Sequence, residues 1–388
     1  MSKALRSGCP GDGRAPGRKA NLESRAAACS AVVVLHSLDA RAAAGVTHYS
    51  RELATALRAA GEPVEELRLR PWEVPLGRRR VGGFLSLRLQ SLFRPLGRRG
   101  VLHSTFHYAA HPRCDLATVH DLFPEARAGE LGFSPVEVRS MQATTRRLLR
   151  RKVRLLFVSE ATRRAFHGLY PDADADRMAV APPGIADRFR PAPGGTRPHP
   201  AFRPGRVNVL CVADLNPRKR LDWLLEAALE VGDPRLHVVH AGPDLVRRPP
   251  WATQRDRERP LAAKLGDRLT RLGRLGDAEL LAAYQSADLL VLPTLDEGFG
   301  FPPLEALACG TPVATTDIPV FRETLGDEGA RFKGTDGLVP ILEDALRRKP
   351  PTDAERRKRH AWVMERHGWP AAAQKVVAAY RAAESAGS

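Results

Sequence analysis

Two carboxylates stand eight residues apart in Glu297-Gly298-Phe299-Gly300-Phe301-Pro302-Pro303-Leu304-Glu305. On one continuous helix that spacing is about 12 Å of rise and about 80° of rotation, so the acids would not converge on one substrate atom. The stretch does not read as one helix. It follows the apolar run Ala287 to Leu292, which has the length and composition of a buried strand, and it leads into Leu304 to Gly310, a short helix. Pro302 and Pro303 suit a first helical turn, where an amide hydrogen would be orphaned anyway, and Gly310 suits the left-handed position past a helix end. Glu297 then sits at the strand's carboxyl end and Glu305 in the first helical turn. Such a pair grips different parts of an extended ligand instead of flanking one bond as a hydrolase pair does. Gly298 and Gly300 let backbone approach a phosphate or a sugar, in front of helix amides that favour an anion. Taken alone, such a pair more often has a bland role, Glu305 complementing a helix dipole and Glu297 being a solvated loop charge.

Three other stretches carry chemistry. Arg218-Lys219-Arg220 lies between an expected strand, Val207 to Ala213, and an expected helix, Leu221 to Glu230. A guanidinium, an ammonium and a helix end can converge there on a diphosphate, although a basic triplet by itself is usually a solvated surface. His120-Asp121 closes the strand Leu116 to Val119, and in an open parallel sheet the carboxyl ends of strands face the ligand crevice. A lone histidine is more often a structural hydrogen-bonder. Gly45 precedes a helix over Val46 to Ala60 and would let backbone lie near a ligand, although a single glycine there is more often an ordinary turn.

The run PTLDEGFGFPPLEALACGTPVATTDIPVFRETLGDEG resembles the Glu-x7-Glu region of the retaining family 4 glycosyltransferases, which have the GT-B fold. GVTHYSREL resembles that family's first glycine loop, TVHDLFPEA its strand-end histidine motif, and NPRKRLDWLLEA its phosphate-binding loop. APPGIADRFRPA looks like its domain-closing segment, and HGWPAAAQKVVAAYR like the closing helix that crosses back to the first domain. The resemblance runs from about Ala31 to Ala383. It implies that Glu297 meets the donor sugar and Glu305 the ribose hydroxyls. Gly298, Phe299, Gly300, Phe301 and Leu304 would line the transferred sugar and pyrophosphate, with Gly45 across the cleft. Arg218 and Lys219 would neutralise the leaving diphosphate, His120 would lie by the reacting face of the sugar, and Asp121 would fix its loop or orient its ring. Gly273 and Arg274 fall in the segment that lies against the nucleobase. The catalytic set implied is therefore His120, Glu297, Arg218 and Lys219. No metal or other cofactor is expected, because cations and helix amides would carry the leaving group's charge. The His-Asp and Pro-Arg-Lys segments look most like the bacterial mannosyltransferase branch, which makes GDP-mannose the first donor expected. The acceptor would be a glycan, a polyprenyl-linked or a small-molecule hydroxyl.

Positioning these residues takes two halves. A chain of 388 residues exceeds what one core usually supports. The expected architecture is α/β: GT-B, two doubly wound Rossmann-like domains facing a central cleft. The expected boundaries are a disordered leader at 1–30, an acceptor-side domain at 31–190, a Pro-, Gly- and Arg-rich linker at 191–206, a nucleotide-sugar domain at 207–368 and a crossing helix at 369–388. Five scattered cysteines without a C-x-x-C pair point to a reducing compartment and no zinc site.

The formal charge of +17 calls for an anionic partner. Nucleic acid is not expected, since no zinc-finger, ribonucleoprotein or basic-zipper pattern occurs and only 6% of residues are aromatic. Between Leu76 and Gly100 stand seven arginines and no acid. Leu85, Leu89, Leu92, Phe93 and Leu96 there make an apolar stripe on a basic helix. Residues 78–99 thus suit an anionic membrane surface, or the stripe packs on its own sheet. No stretch is apolar enough to span a bilayer. The chain reads as cytoplasmic, peripheral on the inner face of the plasma membrane if the stripe is interfacial. A catalytically silent nucleotide-sugar binder and a basic nucleic-acid binder are the alternatives.

Overall fold

A computed structural model describes residues 32–38, 44–69, 74–76, 79–81, 100–131, 133–195, 199–243 and 249–387. The leader at 1–30 and, in the basic stripe, residues 78 and 82–99 lie outside the described residues.

The first half holds strands β1 (Val33–Leu38), β2 (Val64–Leu69), a small antiparallel hairpin of β3 (Val74–Leu76) with β4 (Arg79–Val81), then β5 (Val101–Ser104), β6 (Leu116–Val119), β7 (Arg154–Phe157) and β8 (Met178–Val180). Six of them form a parallel sheet in the order β2-β1-β5-β6-β7-β8. The chain starts inside the sheet and winds outward both ways, which is the doubly wound pattern. The hairpin narrows one expectation: Arg79 and Arg80, part of the basic stretch 78–99, stand on a strand and not on a helix.

The second half repeats the plan. Strands β9 (Val207–Val212), β10 (Leu236–Ala241), β11 (Leu269–Gly273), β12 (Leu289–Leu292), β13 (Val313–Thr316) and β14 (Ala330–Phe332) form a parallel sheet in the order β11-β10-β9-β12-β13-β14. Its central strands are apolar on both faces because helices cover both sides. Val209, Leu210, Leu290, Val291 and Leu292 are each 0% exposed.

Helix faces follow the 3.6-residue period. In the helix Ala44–Ala59, Tyr49, Leu53 and Leu57 recur every fourth residue and are buried in the first core against Val33 and Leu35. Truncating Leu53 to Ala there would cost about 2–5 kcal/mol. In Leu221–Val231, Leu221, Leu224, Leu225 and Ala228 do the same for the second core.

The C-terminal helix Trp369–Gly387 buries Trp369, Ala373, Val376 and Tyr380 in the core of the first half. Tyr380 there shares a hydrogen bond with His103 Nδ1 at 2.8 Å, and His103 Nε2 meets Thr118 at 2.7 Å. The chain thus passes between the halves twice, and the passages lie side by side: the Ile185 amide donates to the His367 carbonyl, and Ile185 pairs with Gly368. Gly184 fits here because an added Cβ would stand 2.5 Å from the Cα of Trp369. Residues 199–206 are seated on the second half, where Phe202 is buried and the His199 amide donates to Ser286 Oγ.

Candidate active site

In both sheets every strand is parallel to its neighbours, so all carboxyl ends of one sheet face one way. From the second sheet, β9 delivers Arg218 and Lys219 and β12 delivers Glu297. From the first, β5 delivers Thr105, β6 delivers His120 and β7 delivers Ser159. The two rims meet. A Cβ on Gly298 would lie 1.9 Å from the His120 carbonyl oxygen, so only glycine lets the loops touch.

Glu297 is held from two sides. Arg218 Nη1 donates to Glu297 Oε1 at 3.1 Å, and the Lys219 ammonium contacts the same oxygen. Burial pushes this carboxyl up, but the Lys219 and Arg218 charges outweigh it and hold it below the ordinary value. Arg218 is itself fixed: Nη1 also donates to the Asp296 carbonyl at 2.7 Å, and the guanidinium lies 4.3 Å over the Phe123 ring. Asn216 caps the short turn Pro217–Lys219 by accepting from the Arg218 amide. Arg220 then takes a left-handed backbone, φ +45°, to turn the chain into the next helix. Two cations thus meet on one carboxylate, with Asp214, Asp121 and Asp296 also near the Arg218 charge.

Glu305 is placed differently from expectation. The helix runs Phe301–Ala308, opened by Gly300 at φ +90°, so Glu305 lies one turn in, not in the first turn. The left-handed glycine starts the helix before the prolines, and that advances it. Glu305 is 4% exposed, accepts from Tyr284 Oη at 2.8 Å, and lies 3.5 Å from His48 Nε2 of the first half. Burial drives its carboxyl up to about 7 against the help of Tyr284. Burial also lowers His48 to about 4, so the contact is between a neutral ring and a carboxyl near half-protonation at neutral pH. Phe301 meets the same ring edge-on at 5.4 Å.

His120 is buried, and its Nε2 lies 2.8 Å from the Thr105 carbonyl. A carbonyl only accepts, so Nε2 carries the proton and Nδ1 is the acceptor. Burial lowers this imidazole to about 4, keeping it neutral. The Thr105 carbonyl orients the ring. Asp121 takes the Phe123 amide instead and is raised to about 6 by burial despite the Arg218 charge.

The remaining candidates divide by burial. The side chains of Phe299 and Leu304 are core, 3% and 0% exposed, so what they offer a ligand is backbone. Gly45 lies in the first turn of its helix, and a Cβ there would meet nothing within 4 Å. Gly273, at φ +66°, ends β11, an edge strand, and accepts from the Gly242 amide at 2.8 Å; Arg274 follows it. The site also uses residues not singled out from sequence: His48, Tyr284 and Thr105. His48 stands inside the GVTHYSREL segment, whereas nothing local marks Tyr284, which is 21 positions before Glu305 and meets it only through packing. Asp172, Asp174 and Asp176 form an Asp-x-Asp spacing, but they precede β8 at the amino-terminal end of the sheet, away from this cleft. Among the described residues no group of three or more His, Cys, Asp or Glu side chains could hold a metal ion.

Residues 206–348 match the family model of the group 1 glycosyl transferases, a span that includes Arg218, Lys219, Glu297 and Glu305. The chain is 30% identical over 268 residues to a D-inositol 3-phosphate glycosyltransferase of Kineococcus radiotolerans, covering 59% of this chain and 57% of that one. Over 73 residues it is 47% identical to the O-antigen chain mannosyltransferase RfbU of Salmonella typhimurium, 19% of this chain and 20% of that one. The chain spans about half the length of the inositol phosphate relatives it matches. In three dimensions it resembles the sucrose-phosphate synthase of Thermosynechococcus elongatus with a TM-score of 0.69 at 20% identity, covering 92% of this chain and 100% of that one. It likewise resembles Anabaena HepE in complex with UDP-glucose, with a TM-score of 0.65 at 15% identity over 91% of this chain and 100% of that one. The fold is GT-B.

Proposed function

We propose that this chain is a glycosyltransferase that moves a hexose, with retention at the anomeric carbon and without a metal, from a nucleotide sugar to a hydroxyl acceptor. The observation that carries the reading is the Arg218–Lys219–Glu297 cluster at one rim, brought into backbone contact with His120 at the other. In the reaction the bond from the anomeric carbon to the diphosphate oxygen breaks, the acceptor oxygen bonds to that carbon on the same face, and the acceptor proton passes to the departing diphosphate. Negative charge grows on the diphosphate as positive charge grows on the sugar. Preorganised Arg218 and Lys219, with the amides opening the Phe301–Ala308 helix, stabilise the former without reorganisation. Glu297 holds the sugar and Glu305 the ribose. His120, kept neutral and weakly basic by burial and oriented through Nε2 by the Thr105 carbonyl, positions the sugar and does not serve as the base.

GDP-mannose is the first donor to test, supported by the short, strong match to a mannosyltransferase; UDP-glucose, named in the Anabaena complex, is its competitor. The acceptor is a glycan, a polyprenyl-linked or a small-molecule hydroxyl, and a phosphorylated inositol joins the candidates from the relatives' names. Peripheral attachment to an anionic membrane through residues 78–99 is part of the proposal, checked by liposome flotation at rising salt.

The test is a thermal-shift screen of GDP-, UDP- and ADP-sugars, followed by the anomeric configuration of the product. A shift with one donor and a retained anomer are expected. Donor binding without turnover over the acceptor panel would instead support a silent sugar-nucleotide binder, and binding of nucleic acid alone would overturn the reading.

A further inference from the structure

The helix Glu160–Leu169 of the first half packs there through Phe166 and points its amino terminus at the second half, where its cap and opening residues touch the Glu297 loop. Ser159 Oγ donates to the Gly298 carbonyl at 2.7 Å, and Thr162 Oγ1 donates to the same oxygen at 3.2 Å. Ser159 Oγ also accepts from the Thr162 amide at 3.0 Å, which is an ordinary helix cap. Each hydroxyl has one proton to give, and the two lie 2.9 Å apart, so with Ser159 donating to the Gly298 carbonyl the Thr162 proton is shared between Ser159 Oγ and that same carbonyl. Ser159 is 0% and Thr162 5% exposed, so these bonds are shielded from water.

A second, separate contact holds the same helix end. Glu323, from the second half, accepts from the Glu160 amide at 2.6 Å through Oε1 and from the Ala161 amide at 2.8 Å through Oε2. A carboxylate across two free amides at a helix amino terminus is a favourable pairing. The Gly298 carbonyl belongs to the peptide plane between Gly298 and Phe299, the second plane after Glu297, so fixing it restrains the short loop that carries Glu297. The grip exists only when the halves are together.

We infer that Ser159 and Thr162 are positioning residues: closing the cleft hooks the Gly298 carbonyl and so sets the pose of Glu297, with Glu323 holding the hooking helix in place. This rests on the glycosyltransferase reading for its effect on turnover, but the hook itself is measurable without it.

Three substitutions separate the hook from helix stability. Thr162→Val removes one donor and keeps the shape. Ser159→Asp keeps a capping acceptor but gives Gly298 no proton. Thr162→Ser keeps the hydroxyl. The first measurement is hydrogen exchange of the 297–300 amides in the full chain, with melting curves recorded beside it. Thr162→Val and Ser159→Asp are expected to speed exchange there by about 10-fold, whereas Thr162→Ser stays at the wild-type rate. The second is kinetics with the active donor, in which the first two variants lose about 10- to 100-fold in kcat, the scale for a misplaced reacting group. Affinity for the bare nucleoside diphosphate stays within about twofold, because Arg218 and Lys219 are untouched. Unchanged exchange in folded Thr162→Val and Ser159→Asp overturns the hook. Faster exchange with wild-type kcat overturns the positioning role. A wild-type chain that transfers no sugar overturns the glycosyltransferase reading instead, and the exchange data still decide the hook.

Discussion

Glu297 is buried yet charged, and the reason is that two cations share one of its oxygens. Removing one partner of a buried pair leaves an uncompensated charge, which typically costs about 3–5 kcal/mol. Here Arg218→Ala and Lys219→Ala each leave a second cation in place, so each single variant should stay folded while the double variant melts well below either. If the pair also binds the leaving group, both singles should weaken nucleoside-diphosphate binding and lower turnover by orders of magnitude. Calorimetry decides it: undiminished affinity for the free diphosphate in both variants would exclude them from that role. Glu305 gives a pH prediction with a definite sign. Its folded value of about 7 lies above the ordinary 4.5, so the folded chain keeps a proton that the unfolded chain has lost. That contribution is fully present below pH 4.5 and is lost as pH rises through 7, an effect of about 3 kcal/mol at most. His48 and His120, held near 4 in the folded chain, act in the opposite direction, because the unfolded chain binds more protons between about 4 and 6.5. The two are separated by Glu305→Gln, which removes only the carboxyl titration. Melting temperatures from pH 5 to pH 8 should show the variant gaining on the wild-type chain as pH rises; parallel curves would mean that Glu305 titrates normally.

The strand ends and their loops were legible because apolar runs and glycine–proline punctuation are local signals. The strand ending at Val119 and the helix start at Leu221 fell where the residue pattern put them. The start of the Phe301–Ala308 helix did not, because the left-handed Gly300 is stabilised by tertiary packing: a Cβ at that position would lie 2.5 Å from the Phe321 ring. Edge strands β2, β8 and β14 carry little local signal because their alternation is weak; Val64–Leu69 carries two glutamates and an arginine. Tyr284 was invisible for a different reason: its partner is set by how Asp277–Ser286 packs on the neighbouring helix, and no spacing rule encodes that. Two glycines turn this difference between local and tertiary cause into a test. Gly298→Ala must push the Glu297 loop off the His120 carbonyl, so kcat should fall about 100-fold while the bare nucleotide still binds. Gly45→Ala meets no atom and replaces a helical glycine, which should stabilise the chain by up to about 1 kcal/mol. If Gly45 lines the donor, donor affinity should nevertheless drop. Titration of the donor into both variants, beside their melts, separates a packing glycine from a ligand-facing one.

The two halves meet through a hinge and a rim of different chemistry, which decides how closure responds to conditions. The hinge is largely apolar: Ile185 and Trp369 are buried, and the C-terminal helix is part of the first core. The rim is polar. Besides the hydrogen bonds at Gly298, it holds Arg51 to Asp277 at 2.9 Å, Arg127 to Asp296 at 3.8 Å and His48 to Glu305 at 3.5 Å. The His48 contact is largely buried and its ring neutral, but the Arg51 and Arg127 pairs reach solvent, and such pairs contribute about 0.2–1 kcal/mol each and are screened within about 8 Å at physiological ionic strength. A closed cleft held this way should therefore loosen with salt, whereas the cores and the hinge should not. Without donor, raising the salt from about 0.05 M to about 0.5 M is expected to increase the radius of gyration in solution scattering with no loss of helical circular dichroism. Arg51→Ala should reproduce part of that opening at low salt. Saturating donor should restore the closed radius at both salt concentrations, since a ligand held by both rims supplies the differential affinity that shifts such an equilibrium. A radius indifferent to salt in the ligand-free chain would mean that the buried bonds of Ser159, Thr162 and Glu323 alone keep the cleft shut, and that donor must enter by local opening of the rim.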